Sequence, residues 1–90
     1  MITLPETLRK NDFDYTLVVR DGDRAIYRQH ITSFCHYYEV MKIQSRPSGT
    51  FKGKPIPERE VFPSNESFGH TAWSFRTYAQ ALIKFNSLSV

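Results

Sequence analysis

The feature that most constrains the fold is a turn signal, Asp21-Gly22-Asp23, which lies between two stretches with strand-like patterns. From Phe13 onward, apolar and polar side chains alternate with a period of two, which is typical of a half-buried strand. Gly22 can adopt the positive φ that a tight hairpin turn requires. We therefore predict a β-hairpin whose first strand starts at Phe13 and whose second strand covers residues 24–31.

The register of this hairpin depends on the length of its loop. A two-residue loop at Asp21-Gly22 would break the apolar face of the ribbon. A three-residue loop keeps that face, because it places Leu17 opposite Tyr27 and Val19 near the turn opposite Ala25. This register sets two arginines side by side next to the turn, the pair Arg20–Arg24. We prefer the three-residue loop because of the apolar pattern.

Two further strands follow from the same reasoning. Residues 35–45 carry apolar groups on both faces, including Tyr37, Val40 and Ile43, and such a strand is expected in the centre of a sheet. Residues 71–76 fit a fourth strand, with Trp73 and Phe75 on one face.

The C-terminal stretch predicts a helix over residues 78–88. Its apolar residues recur at intervals of three and four positions, namely Tyr78, Ala81, Leu82, Phe85 and Leu88. Thr77 precedes them and is a suitable N-cap, since its hydroxyl can accept a hydrogen bond from a free amide of the first turn. A helix of about eleven residues does not persist alone in water, so it must pack on the sheet.

Together these elements predict an α+β fold in two layers: a four-stranded, mainly antiparallel sheet with one C-terminal helix packed on one face. A chain of 90 residues is expected to form a single domain, 1–90. Residues 1–12 are predicted to be an irregular lead-in. Residues 46–63 contain two glycines and four prolines and lose all periodicity, so we predict a long loop there.

Composition argues against two classes of protein. Aromatic residues make up 14% of the chain and the net charge is only +3, whereas disordered chains have few aromatic residues and a high net charge. No stretch approaches the roughly 18–20 apolar residues of a transmembrane helix. We therefore expect a folded protein that does not interact with a membrane.

Cysteine usage and the first residues indicate a compartment. Cys35 is the only cysteine, so an intrachain disulfide is impossible, and the N-terminal residues lack the apolar run of a signal peptide. A reduced, cytoplasmic setting is expected. The oligomeric state is left open between monomer and homodimer, since a sheet of this kind has edges that a second copy could pair with.

The sequence offers little for catalysis or metal binding. The possible ligands are His30, Cys35, His36 and His70, and none of them form the paired spacing of a zinc site. A Cys35 nucleophile with a histidine and a carboxylate would require convergence in space. P-loop, dinucleotide and zincin motifs are absent from the sequence. We predict that the protein is not an enzyme, with no catalytic residues, no metal site and no cofactor.

Positive charge is concentrated in the middle of the chain. Residues 24–60 carry seven bases and three acids, and residues 42–54 carry four bases and no acid. Arginine and aromatic residues are the usual anchors of protein interfaces. The candidate binding residues are Lys42, Arg46, Phe51, Lys52, Lys54 and Arg59, with Tyr37 as an aromatic residue nearby.

The same residues support an alternative. Basic side chains interleaved with aromatic rings can neutralise phosphates and stack on bases, so residues 42–54 could form a nucleic-acid-binding surface. We therefore keep a nucleic-acid-binding module as the second hypothesis.

Residues 61–86 also carry a series of short motifs, namely Pro63-Ser64-Asn65-Glu66, Phe68-Gly69, Trp73-Ser74-Phe75, Thr77 and Phe85-Asn86, with a weaker match at Tyr38-Glu39-Val40. In this segment the chain resembles small uncharacterised proteins of bacteriophages and related mobile elements. That resemblance implies an origin and no transferable site residue.

The resemblance suggests how such a protein would act. Small proteins of these genomes often bind a host factor in a fixed stoichiometry. We therefore expect a non-enzymatic interaction protein that binds and modulates a host protein or ribonucleoprotein complex. Our hypothesis extends to inhibition of a host defence complex of the CRISPR type, in the host bacterial cytoplasm.

Overall fold

A computed structural model of the chain describes residues 2–63 and 68–88, and the structural statements below concern these residues. Ser64, Asn65 and Glu66 of the resembling segment lie outside them. The elements in chain order are β1 (Thr7–Lys10), β2 (Phe13–Asp21), β3 (Arg24–His30), β4 (His36–Lys42), β5 (Gln44–Arg46), β6 (Gly49–Phe51), β7 (Lys54–Ile56), β8 (Arg59–Val61), β9 (Ala72–Phe75) and α1 (Tyr78–Ser87).

The main sheet has five antiparallel strands in the order β1-β2-β3-β4-β9. This confirms the α+β class, the antiparallel pairing and the C-terminal helix, but the prediction of four strands was wrong by one. The strand predicted to be central, β4, is paired on both sides, by β3 and by β9.

The additional strand is β1, which corrects the prediction of an irregular lead-in. It pairs with β2 through a two-residue turn, with Lys10 opposite Phe13. Both turn residues, Asn11 and Asp12, have positive φ, at 54° and 68°. Asparagine and aspartate tolerate this conformation better than most residues, and two successive positive φ values match the twist of a hairpin. Leu8 on this strand packs against the core.

The hairpin of β2 and β3 follows the preferred register only away from the turn, and its turn matches neither of the two loops considered. Leu17 lies opposite Tyr27, as predicted. A bulge after Leu17 then shifts the pairing, so that Val19 lies opposite Ile26 rather than Ala25. The turn consists of Gly22 and the residue after it, and it closes on the pair Asp21–Arg24.

The bulge has a clear electrostatic consequence. It replaces the predicted Arg20–Arg24 juxtaposition by an ion pair in which Arg24 donates to the Asp21 carboxylate at 2.8 Å. It also turns Leu17 and Val19 toward opposite faces of the sheet, because one extra residue inverts the alternation of side chains beyond it. Both core layers therefore receive an apolar residue from β2.

The helix covers one face of the sheet, where Ile26, Val40, Ala81 and Phe85 form a buried cluster. The predicted N-cap is confirmed, since the Thr77 hydroxyl accepts a hydrogen bond from the backbone N–H of Gln80 at 3.2 Å.

The opposite face is covered by chain segments without a helix. Its buried residues are Tyr15, Ala25, Tyr27, Met41, Ile43 and Ala72. Leu4, Phe62 and Phe68 pack over them, and the Tyr27 hydroxyl donates to the carbonyl of Pro5 at 2.7 Å. These contacts hold the N-terminal segment against the sheet. Within the described ranges, no helix is long and apolar enough to cross a membrane.

The predicted loop at residues 46–63 is largely a β-hairpin. Strands β5 and β8 pair with each other, and β6 and β7 pair further out, with Phe51 opposite Lys54 at the turn. The two turn residues, Lys52 and Gly53, both have positive φ, at 51° and 77°. Each ribbon strand has only three residues. The prolines fit because a two-stranded ribbon leaves outward-facing backbone positions without a ladder partner.

Candidate functional site

The two ribbons follow one another along a single projection, residues 44–61, which we call the arm. Every residue from 44 to 55 is exposed, so the outer part of the arm buries little of its own surface. The molecule measures 44 × 30 × 22 Å along its principal axes. The arm thus presents side chains to solvent on a paired backbone.

The tip of the arm combines an aromatic ring with positive charge. The Phe51 side chain is 62% exposed, although it is large and apolar. The ammonium of Lys52 lies 5.5 Å from the centre of its ring. Lys54 is paired with Phe51 across the turn, so two bases flank one exposed ring.

The base of the arm is anchored to the main sheet by a bidentate ion pair. The two terminal nitrogens of Arg20 on β2 donate to the two carboxylate oxygens of Glu60 on β8, at 2.7 and 2.6 Å. Glu60 also accepts from the backbone N–H of Leu4 at 2.9 Å. These hydrogen bonds, that from Arg20 above all, hold the pKa of Glu60 below its usual value and raise that of Arg20.

The N-terminal segment strengthens this anchor with backbone hydrogen bonds. The N–H of Ile2 donates to the carbonyl of Glu58 at 3.0 Å, and the N–H of Glu60 donates to the carbonyl of Ile2 at 2.8 Å. The inner end of the arm is therefore fixed on two sides, although its outer end is exposed.

A basic groove lies where the arm meets the sheet. It has a volume of about 490 Å³ and is lined by three bases, Lys10, Lys42 and Arg46, together with apolar groups that include Val61 and Phe62. Three cations around one groove favour an anionic or acidic occupant.

The structure brings most of the predicted binding residues together. Arg46, Phe51, Lys52, Lys54 and Arg59 lie on the arm, and Lys42 lies at the end of β4 where the arm begins. Tyr37 does not join them. It is five residues earlier on β4, about 17 Å along the strand, where the guanidinium of Arg76 lies 5.5 Å from its ring centre.

Sequence reasoning missed two contributors to this region. Lys10 lines the groove although it precedes the arm by more than thirty residues, and no local pattern connects the two. The Arg20–Glu60 pair joins residues 40 positions apart. The one local signal was that two acids, Glu58 and Glu60, interrupt a basic segment.

The residues considered for metal and nucleophile chemistry are partly brought together. The rings of His30 and His36 meet across β3 and β4 with centres 5.1 Å apart, and the Thr16 hydroxyl lies 2.9 Å from Nε2 of His30. A shallow cleft beside them is lined by Phe34, Cys35, His36, Tyr38 and Arg76. In the part of the chain that the structure describes, no carboxylate lines this cleft and no three metal-binding side chains are grouped.

Comparisons with protein-family models, curated proteins and solved structures find no match to this chain.

Proposed function

We propose that this protein is a non-enzymatic binding module that inserts the tip of its arm into a protein partner with an acidic surface. The observation that carries the proposal is the Phe51 ring, which is 62% exposed at the end of a projection fixed at its base by the Arg20–Glu60 pair. A large exposed apolar side chain on a preordered backbone suits an interface anchor, because little conformational freedom is lost on binding.

The charges of the arm indicate what kind of surface it would meet. The arm carries four bases and two acids, and one of those acids, Glu60, is neutralised by Arg20. Lys42 and Lys10 add positive charge at its base. A positive projection of this kind speeds encounter with an acidic partner and fixes its orientation.

The resemblance to phage and mobile-element proteins narrows the partner to a host protein or ribonucleoprotein complex. Inhibition of a CRISPR-type defence complex in the bacterial cytoplasm is the most specific form of this proposal. The same binding mode suits a monomer or a homodimer.

Phe51→Ala is expected to weaken binding of a captured protein partner at least about tenfold, which corresponds to about 1.4 kcal/mol. The matched control is Phe34→Ala, because Phe34 is 97% exposed but lies in the loop between β3 and β4. The partner would be isolated from host lysate with the wild-type chain, and its affinity for each variant measured by calorimetry. Equal losses in both variants, or no stoichiometric partner, would contradict the proposal.

A second candidate function is nucleic-acid binding, and the basic groove is the observation that favours it. Lys10, Lys42 and Arg46 surround the groove, and Phe62 offers a ring at its wall. Cationic side chains that contact phosphates and an aromatic ring on which a base can stack are the elements of a binding site for single-stranded nucleic acid.

If the groove binds single-stranded nucleic acid, the logarithm of the affinity should fall with the logarithm of salt concentration, with a slope of about −2 for three phosphate contacts. Arg46→Gln should then reduce the magnitude of this slope by about 0.7. Lys84→Gln is the control, because Lys84 lies on α1, where its ammonium is 4.0 Å from the ring centre of Trp73. No affinity at low salt, measured by fluorescence anisotropy, would reject this candidate.

A further inference from the structure

A second recess lies on the face of the sheet opposite the helix and is chemically different from the basic groove. Its volume is about 260 Å³. Four aromatic and four polar or charged side chains line it, and one of the charged groups is a carboxylate. The residues that matter here are Phe13, Tyr15, Phe62, Phe68, Glu39 and, at the rim, Lys10.

The carboxylate belongs to Glu39 on β4, which is only 5% exposed. Its Oε2 is buried and accepts no hydrogen bond from any residue in the described ranges. A buried carboxylate oxygen without a donor is costly, so it calls for a compensating group at that position.

The nearest cation is directed elsewhere. Nζ of Lys10 donates to the backbone carbonyl of Pro63 at 2.7 Å, and it also lies 5.4 Å from the centre of the Phe62 ring. No ion pair within 4.0 Å joins it to Glu39 among the described residues. Lys10 therefore shows that the rim of the recess accepts an alkylammonium group against an aromatic face, and its charge acts on Glu39 only from a distance.

Two of the rings that line the recess, Tyr15 and Phe62, are in contact with each other. The centres of Tyr15 and Phe62 are 4.8 Å apart, with their planes inclined by 55°. Phe62 also meets the ring of Tyr27 edge to face at 5.4 Å. Aromatic faces next to an anionic group are the combination that binds organic cations, because ring quadrupoles and carboxylate attract the same charge.

The supply of hydrogen-bond acceptors distinguishes between kinds of cation. Calcium and magnesium ions take six or more oxygen ligands, and a primary ammonium presents three donors. The recess offers the Glu39 carboxylate, the side-chain amide oxygens of Asn11 and Gln29, and the hydroxyl oxygen of Tyr15, which already accepts a hydrogen bond from Gln29 at 2.9 Å. A methylated ammonium presents few or no donors, so it needs none of the neutral acceptors and fits the carboxylate and the aromatic rings of this lining best. The volume equals that of about eight or nine water molecules, which suits a small head group.

We propose that this recess binds a methylated ammonium cation, with Glu39 as its counter-charge and Phe13, Tyr15, Phe62 and Phe68 as the surrounding aromatic wall. The cation is either a free small molecule or the methylated side-chain nitrogen of a partner protein. This site is separate from the tip of the arm, so it does not depend on the function proposed for Phe51.

Binding at this site should depend on pH in a defined direction. Burial raises the pKa of Glu39 to about 7, and Lys10 on β1 opposes that rise. Tyr15 on β2 and Tyr27 on β3 stay neutral, because burial raises the pKa of both phenols. On the other side of β4, the residue of β9 opposite Glu39 is Ser74, which is uncharged. A cation selects the ionised carboxylate, so affinity should rise with pH up to the pKa of Glu39 and level off above it.

The experiment titrates the full chain with choline, followed by NMR shifts of the aromatic ring resonances. At pH 8 we expect saturable shifts centred on Phe13, Tyr15, Phe62 and Phe68. The affinity should fall about tenfold at pH 6, because one pH unit below the pKa leaves about a tenth of the carboxylate ionised. Glu39→Gln should weaken binding at least about tenfold at pH 8, whereas Glu58→Gln, an exposed acid on the arm, should leave it unchanged.

Two further ligands make the outcome of the titration decisive. The carbon isostere of choline, in which carbon replaces the quaternary nitrogen, should bind far more weakly than choline. A peptide carrying trimethyllysine tests the protein-borne source: tighter binding than choline assigns the site to a partner side chain, and weaker binding assigns it to a free cation. Phe51→Ala should bind choline as the wild type does. The proposal is overturned if choline does not saturate, if its isostere binds equally, or if Glu39→Gln retains wild-type affinity.

Discussion

Replacing Glu39 by glutamine is expected to raise the free energy of unfolding at pH 8 by about 3 kcal/mol, and to change it little at pH 4. The pKa of this carboxyl is raised from 4.5 to about 7, chiefly because burial penalises the charged form. Each pKa unit corresponds to about 1.4 kcal/mol. Glutamine resembles the protonated acid in shape and charge, so it removes the penalty that the wild type bears at high pH.

The sign follows from the position of the folded-state pKa. Since it lies above the unfolded value, the folded protein holds the proton more tightly than the unfolded chain does. The free energy of unfolding of the wild type therefore falls as the pH rises from about 4.5 to about 7, and it levels off above that range. Below about 4.5 both states are protonated, so the wild type and the glutamine variant should have similar stabilities.

Urea unfolding at several pH values, followed by the fluorescence of the single tryptophan Trp73, measures this effect. Glu58→Gln is the matched control, because this exposed glutamate should produce no such pH-dependent gain. A Glu39→Gln variant that is destabilised equally at pH 4 and pH 8 would show that the carboxylate is compensated in the folded state.

An uncompensated buried charge is a cost that folding alone does not explain. Glu39 occupies a position on β4 between Val40 and Tyr38, in a strand whose other central residues are apolar or aromatic. A neutral side chain there would serve the core better. A binding site for a cation, by contrast, requires a carboxylate that no internal group has already satisfied, and natural proteins often accept reduced stability at such positions.

The longer elements of the fold could be predicted from the sequence because their periodicity is strong. In β2, β3 and α1, apolar side chains recur at the spacing of a strand or a helix, and Thr77 provides a local cap signal. The bulge in β2 could not be predicted from alternation, because an alternating pattern does not show where an extra residue interrupts the pairing.

The shorter strands were missed for a different reason. Strands of three or four residues in the arm and at β1 bury too few side chains to produce a visible alternation. Their signals lie in the turns, where Asn11-Asp12 and Lys52-Gly53 adopt two successive positive φ values. In the arm, Pro55 and Pro57 favoured the interpretation as a loop, although a two-stranded ribbon accommodates them.

The candidate sites also differ in how far they could be predicted from the sequence. The bases of the arm and Phe51 were visible as a local concentration of charge and an aromatic residue. The recess at Glu39 was not, because Phe13, Phe62 and Phe68 come from distant parts of the chain and meet only through the folding of the sheet. A single acid in an otherwise apolar strand was the one available indication.

Arg20→Met is expected to lower the free energy of unfolding by about 2 kcal/mol at pH 7, because it removes two charge-assisted hydrogen bonds from a largely buried carboxylate. The side chain of Glu60 is only 10% exposed and that of Arg20 is 26% exposed. Methionine retains most of the aliphatic stem, so the loss reports on the ion pair and on the exposed hydrogen bond that Nε of Arg20 donates to the Gly22 carbonyl at 2.9 Å. Chemical unfolding measures the stability, and amide exchange of β5 and β8 should become faster.

The control is Arg9→Met, which breaks a single 3.1 Å ion-pair contact with Asp14 at a site where both side chains are more than 60% exposed. Exposed pairs contribute at most about 1 kcal/mol and often nothing measurable, so this variant should differ little from the wild type. Equal losses in the two variants would mean that the Arg20–Glu60 pair is no stronger than a surface contact.

The pH dependence separates this anchor from Glu39. Because Arg20 lowers the pKa of Glu60, the stabilisation is complete above the unfolded value of 4.5 and is lost as the pH falls through the folded pKa. The loss of stability in Arg20→Met should thus be similar at pH 6 and pH 8, whereas the gain of stability in Glu39→Gln should grow between these pH values.

Measuring partner binding together with stability then distinguishes the role of the arm from that of its anchor. Phe51→Ala should weaken partner binding and leave the free energy of unfolding unchanged. Arg20→Met should weaken both, since a looser arm must be ordered again when it binds.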